Sequence, residues 1–168
     1  VKTSGLISPQ YWSNLPAGEV FTTPARVDGR FVCDGTAGDY FNQKYGDLQR
    51  TPLVLEIVAV RLVRAECARK ELEGEFWEYT HTDENSDRVG ELAFGTNLGL
   101  TEMIGILLQD EKLPGVHIAF GDPYGNQTHA DWKSKTHVDV LTRKCDVWID
   151  EEPVIEKGRY LLDRLGLA

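Results

Sequence analysis

The chain has 168 residues, 41% of them hydrophobic and 27% charged, and a formal net charge of −9. That balance predicts a soluble globular domain with one sizeable core, and no apolar run approaches the roughly 18 residues of a membrane span. The acidic surplus argues against a nucleic-acid partner, whose phosphates it would repel. It suits cations or substrates with a free amino group, beside its ordinary role of solvating a surface.

Taken in order, residues 1–18 contain Gly5, Pro9, Pro16 and Gly18 with little periodicity and read as a loop-rich start. Val20-Phe21-Thr22-Thr23 reads as a strand closed by Pro24, with Glu19 as a strand-end acid. Residues 27–49 read as short strands and turns around Phe31-Val32, with Tyr40, Phe41 and Tyr45 covering an edge. Leu53 to Ala68 reads as one bent strand, or two strands meeting near Val58-Ala59-Val60. Arg69 to Tyr79 places Leu72, Phe76 and Tyr79 at helical spacing, a surface helix weakened by Gly74. His81 has no ligand pattern around it and reads as a surface histidine.

Leu100, Met103, Ile104, Leu107 and Leu108 form the clearest helical stripe, expected to pack into the core and to end at Leu113-Pro114-Gly115. With the strands around Glu91 and His117 on either side, this stretch predicts a β-α-β unit, right-handed if its strands are parallel neighbours. Residues 121–136 read as a polar loop, Cys145 to Ile149 as a strand, and residues 154–165 as a short strand or helix. Cys33, Cys67 and Cys145 are odd in number and widely spaced. They read as reduced structural thiols, which with no visible signal peptide predicts a cytoplasmic setting.

The chemistry is expected on three short strands. In His137-Val-Asp139, side chains two apart share a face and both can reach one cation. Glu91-Leu-Ala-Phe-Gly95 and His117-Ile-Ala-Phe-Gly121 repeat one form: a metal-ligand type, an apolar residue, Ala, Phe, Gly. Glu91 and Ala93 share one face, as do His117 and Ala119, and each small alanine leaves room for an ion beside the ligand. Leu92/Phe94 and Val116/Ile118/Phe120, on the opposite faces, are the expected core.

Four stretches together, Asn14-Leu-Pro-Ala-Gly-Glu19-Val-Phe-Thr-Thr-Pro24, Gly90-Glu91-Leu-Ala-Phe-Gly-Thr-Asn97, Val116-His117-Ile-Ala-Phe-Gly121 and His137-Val-Asp139, occur in an order that resembles the aminopeptidase T type. These are the thermophilic, dinuclear metalloaminopeptidases. The resemblance runs from about Leu6 to Tyr160 and implies an α+β domain, a mixed β-sheet with a few helices, and a homodimer. It implies that residues 1–168 are a single metal-binding, catalytic-type domain, the C-terminal part of a longer two-domain chain, in keeping with a start at Val1. The family's ligands carry over to Glu19, Glu91, His117, His137 and Asp139, and its tyrosine to Tyr124. Two divalent cations (Zn, Co or Mn), three carboxylates and one hydroxide sum to no net charge, which lowers the cost of burial.

By the same resemblance, the expected activity is hydrolysis of a peptide or related small substrate, with Glu91 or Glu19 as general base. Tyr124 is either an oxyanion donor or loop packing. His129 and Asp131 lie near the site in sequence, but no family motif reaches them, and they read as solvated loop. The loop from Gly121 to Thr136 departs most from the family, which bears on specificity. Two alternatives stay open. The same fold serves hydroxypyridine ring-opening dioxygenases, for which His117, His137 and Asp139 would hold one Fe(II). The domain could also bind metal without catalysis.

Overall fold

The computed structural model describes residues 1–167. It is an α+β fold of eleven strands in three sheets with four helices. The central sheet orders its strands β1 (Lys2–Thr3), β2 (Glu19–Thr22), β6 (Val89–Gly95), β7 (Gly115–Gly121) and β8 (His137–Leu141). A second sheet is the meander β3 (Gly29–Cys33), β4 (Leu53–Val58) and β5 (Arg61–Glu66). A third joins β9 (Val147–Ile149), β10 (Glu152–Glu156) and β11 (Arg159–Tyr160). The helices are α1 (Asp39–Tyr45), α2 (Lys70–Tyr79), α3 (Leu107–Asp110) and α4 (Gly125–Thr128). No helix among the described residues is long and apolar enough to cross a membrane.

The core fills the space between the central sheet and the meander. Alternation along β4 turns Leu53, Leu55 and Ile57 inward, where they meet Ile118, Phe120, Val138 and Val140 from β7 and β8. Helix α2 adds Leu72 and Phe76 to this layer, and α1 adds Phe41. Phe41 packs on Phe76 with ring centroids 5.5 Å apart, and Phe76 meets Phe120 edge-on at 6.2 Å. Cys33 and Cys67 are buried in the same layer; these and the half-buried Cys145 are free thiols. Leu92 packs against the core as expected, whereas Phe94 and Val116, nearer the end of their strands, are only half-buried.

Several sequence expectations hold. The break at Ala59-Val60 does divide β4 from β5, both residues taking positive φ in the turn. Helix α2 and the exposed His81 stand where expected, the imidazole stacking on Trp77 at 4.0 Å. Others are corrected. The stretch around Phe41 is helical rather than an edge cover, and Phe41 is core.

The β-α-β unit is absent. β6 and β7 are antiparallel neighbours, and the expected long helix between them is the single turn α3. Of its apolar stripe, Leu100, Met103 and Leu107 are half-buried and Ile104 and Leu108 exposed. The reason is local competition for the backbone. Asp110 accepts hydrogen bonds from the amides of Ile104 and Gly105 at 2.8 and 2.9 Å, and Gly105 sits at φ +78°. Both features hold residues 104–110 in a compact loop that a continuous helix would forbid.

Candidate metal centre

The register of the central sheet brings the sequence-selected residues together on the face opposite the core. Ala119 pairs with Glu91 on one side and with Asp139 on the other. Ala93 pairs with Phe21 and with His117, and Gly121 pairs with His137. Acidic and imidazole side chains therefore lean across rows whose middle members carry only a methyl group or a hydrogen. Neighbouring strands lie about 4.8 Å apart, so Glu91 and Asp139, on either side of Ala119, stand about twice that distance from each other. Glu19, at the start of β2, stands one row further along, level with Gly95.

All five expected ligands enter this cleft, with Glu19, Glu91, His117 and Asp139 buried and His137 half-buried. The imidazole Nε2 of His117 lies 3.1 Å from Oε1 of Glu19 and 3.6 Å from Oε1 of Glu91. It makes no hydrogen bond with either. A buried nitrogen aimed between carboxylates, without a bond to any of them, fits a seat for a cation. Glu19, Glu91 and His117 bring one ligand atom each to within 4.8 Å of one another, and Glu111, His117 and Asp139 do the same.

His137 stands beside both groups, with Nε2 3.5 Å from Asp139 and 4.0 Å from Glu91. Its Nδ1 lies 2.8 Å from the carbonyl oxygen of Asp122. A carbonyl only accepts, so Nδ1 carries the proton and, in the neutral ring, the Nε2 lone pair faces the cleft.

Two members were not anticipated from the sequence. Lys112 is buried and donates to Oε2 of Glu19 at 2.7 Å and to Glu111. Both come from the segment between β6 and β7, which crosses the site face where β6 ends. A Cβ on Gly95 would fall 1.8 Å from the carbonyl oxygen of Leu113, so the crossing requires glycine there. In the sequence, Asp110-Glu111-Lys112 reads like any polar helix end. The usable signal was the Pro114-Gly115 return, which begins three residues before His117 and forces the chain back over the strand it must join. As an ion pair, Glu111 and Lys112 add no net charge to the cluster.

Burial works against ionisation of Glu19 and Asp139. For Glu19 the contacts with His117 and Lys112 outweigh it, and for Asp139 those with His137 and His117, so both carboxyls lie below their ordinary range. Burial would likewise depress the histidines, but the facing carboxylates hold His117 up at about 10 and His137 at about 9. A metal ion held there would compete with protons for the same atoms and release them on binding. Glu111 is pushed up to about 7 by burial, with Lys112 acting in opposition.

Tyr124 caps α4 in a left-handed conformation, φ 50° and ψ 51°, rare for an aromatic residue. Its ring lies 4.5 Å from His137 and 6.5 Å from Phe21. Burial and the fields of Asp139 and Glu91 raise its phenol above the usual value, so it stays protonated at neutral pH. Tyr124, Tyr11 and Trp12 help to line a cleft of about 380 Å³ that also contains Glu19, Glu91 and Asp139. The loop carrying Tyr124 is tied down by Asp83, which accepts from the amide of Lys135 at 2.7 Å, and by Arg88 over the Trp132 ring at 4.1 Å. His129 and Asp131 are exposed and belong to neither ligand group, as expected.

No protein-family model matches the chain. No curated protein matches it in sequence. Solved structures that share its fold include the following two. A 2,5-dihydroxypyridine dioxygenase from Pseudomonas putida KT2440 superposes with TM-score 0.63 at 16% identity, over 84% of this chain and 42% of that one. Wild-type AmpT from Thermus thermophilus superposes with TM-score 0.61 at 24% identity, over 88% of this chain and 40% of that one. The chain thus spans under half the length of either.

Proposed function

We propose that the cleft over the central sheet is a dinuclear divalent-metal centre of aminopeptidase type, hydrolysing the peptide bond next to a free α-amine. One observation carries this reading: Glu19, Glu91 and His117 form one ligand group, and Glu111 and Asp139 form a second around the same imidazole. A single ion would leave buried carboxylates over. The AmpT likeness supports the reading at the level of the fold. The mixed nitrogen and oxygen donors accept Zn, Co or Mn. Bound there, such ions would supply Lewis acidity and lower the pKa of water.

The chain's own residues divide the remaining work. Glu19 is held ionised by Lys112 and His117, which weakens it as a base. The proton-accepting role falls to Glu91, whose carboxylate lies between the two imidazoles. Tyr124, protonated at neutral pH, donates to the oxyanion that develops on the scissile carbonyl. The acidic cleft favours a substrate ammonium over an acylated amine, which selects the free N-terminus.

A second reading, a mononuclear Fe(II) dioxygenase, is supported by the dioxygenase likeness and by His117, His137 and Asp139 on adjacent strands. Elemental analysis and two assays separate the readings. Two zinc, cobalt or manganese ions per chain with hydrolysis of leucine p-nitroanilide is the expected result. One iron per chain with oxygen uptake on a dihydroxypyridine would replace it. Bound metal with neither activity would leave a binding domain.

A further inference from the structure

On the other side of Glu111 from the aromatic mouth lies a larger cleft of about 530 Å³ that no step above uses. Leu98, Met103, Leu113, Leu141 and Leu162 give it apolar walls, and His117 and Glu111 reach it from the metal cluster. Its rim is basic, although the chain as a whole carries −9. Lys144, Lys157 and Arg159 line it, and among the described residues none of these side chains has a carboxylate within salt-bridge distance. Of the three acids that line the cleft, Glu102 is exposed on the opposite lip and the other two are already engaged. Asp110 accepts from Thr36, Ile104 and Gly105, and Glu111 pairs with Lys112.

The cluster of cations is built by the fold. The turn before β9 and the turn between β10 and β11 are locked together by the amide of Gly158, which donates to the carbonyl of Cys145 at 2.9 Å. Lys144 and Lys157 both sit at positive φ in these turns, 48° and 49°. The lock sets Lys144 beside the segment carrying Lys157 and Arg159. Unpaired like charges held together beside an apolar trough call for an anion with an apolar body.

We propose that this cleft receives the leaving-group side of a short peptide and that Lys144, Lys157 and Arg159 hold its terminal carboxylate. The assignment rests on the aminopeptidase-type reading. It makes the substrate class short peptides with a free carboxyl end. One end of the substrate then meets acids and the other meets bases, so the cleft pair reads both termini. The chemistry itself stays with the metal cluster between them.

The test is an NMR titration of the zinc-loaded chain with acetyl-Ala-Leu and with its C-terminal amide, neither of which presents an amine to the metals. The acid is expected to bind roughly three- to tenfold tighter than the amide, the size two or three exposed charge pairs can give. Shifts should centre on Leu98, Leu141 and Leu162, and the preference should shrink as salt is raised. In the double variant Lys157→Ala/Arg159→Ala, acid and amide should bind alike, with metal content unchanged. Equal binding to the wild-type chain overturns the proposal. So does a preference that survives in the variant or at high salt, which would place the carboxylate on the metal. Shifts at these leucines that follow protein concentration instead would assign the cleft to a second copy of the chain. Leucine p-nitroanilide has no carboxylate on its leaving group and reports on the hydrolase reading separately. Its hydrolysis with equal peptide binding sinks the cleft assignment alone, whereas acid preference without hydrolysis sinks the peptidase reading alone.

Discussion

The two faces of the central sheet are made from the same strands and obey opposite rules. On one face Ile118, Phe120, Val138 and Val140 close against the meander and helices. On the other, residues one position away along the same strands gather Glu91, His117 and Asp139 into a cleft. The first face gains from each methylene it removes from water, while the second keeps buried charge that is tolerable only with partners. A sheet can separate stability from chemistry because its side chains alternate, and each face can then be broken alone.

The largest expected effect falls on the apolar face. Phe120→Ala should cost about 3–5 kcal/mol of stability by leaving a cavity against Phe76. Chemical denaturation would show this, while the folded fraction still binds metal. Glu91→Gln should do the reverse, with hydrolysis falling about 10³-fold and bound metal falling with it, as the fold survives in circular dichroism. Full activity in that variant would end the metal-centre reading. Tyr124→Phe keeps the ring against His137 and removes only the hydroxyl. A loss of about 10²-fold in kcat with unchanged metal content would mark an oxyanion donor, and unchanged kcat would return Tyr124 to loop packing.

The smallest effect concerns the tether of the loop that carries Tyr124. Asp83 is held down at about 2, against 3.8 for a free aspartate, chiefly by the Lys135 amide, with the Asn85 amide, Ser86 and Ser134 also contributing. A depressed folded-state value means that its stabilisation is present above about pH 4 and is lost as the pH falls from about 4 to 2. Asp83→Asn should therefore lower the melting temperature near neutral pH, at a cost of about 1 kcal/mol, and converge on the wild type near pH 2. Parallel curves across that range would show that the tether does not depend on the carboxylate's charge.

The candidate ligands were legible because strand periodicity is short. Two-residue spacing placed His137 with Asp139 and set Glu91 and His117 beside small alanines, and cross-strand register completed the rows. What stayed hidden depends on contacts between distant segments. Lys112 meets Glu19 across 93 positions of sequence, and nothing local marks it as buried. The stripe from Leu100 to Leu108 misled for a related reason. Helical spacing is a statement about side chains, whereas the path of residues 104–110 is decided by backbone amides captured by Asp110. Helix α1 was missed because the glycines before it read as turns, although its Phe41 carries part of the core.

Gly95 gives the candidate centre a point of control far smaller than any of its candidate ligands. The strap that bears Glu111 and Lys112 rests on the bare backbone of this residue, and a Cβ there would meet Leu113 at 1.8 Å. One added methyl group would lift the strap from the sheet and take an acid and a base away together. Glu91, His117, His137 and Asp139 would remain in register on their strands. The inventory of charges in this centre is thus set partly by a hydrogen atom that takes no part in binding or chemistry.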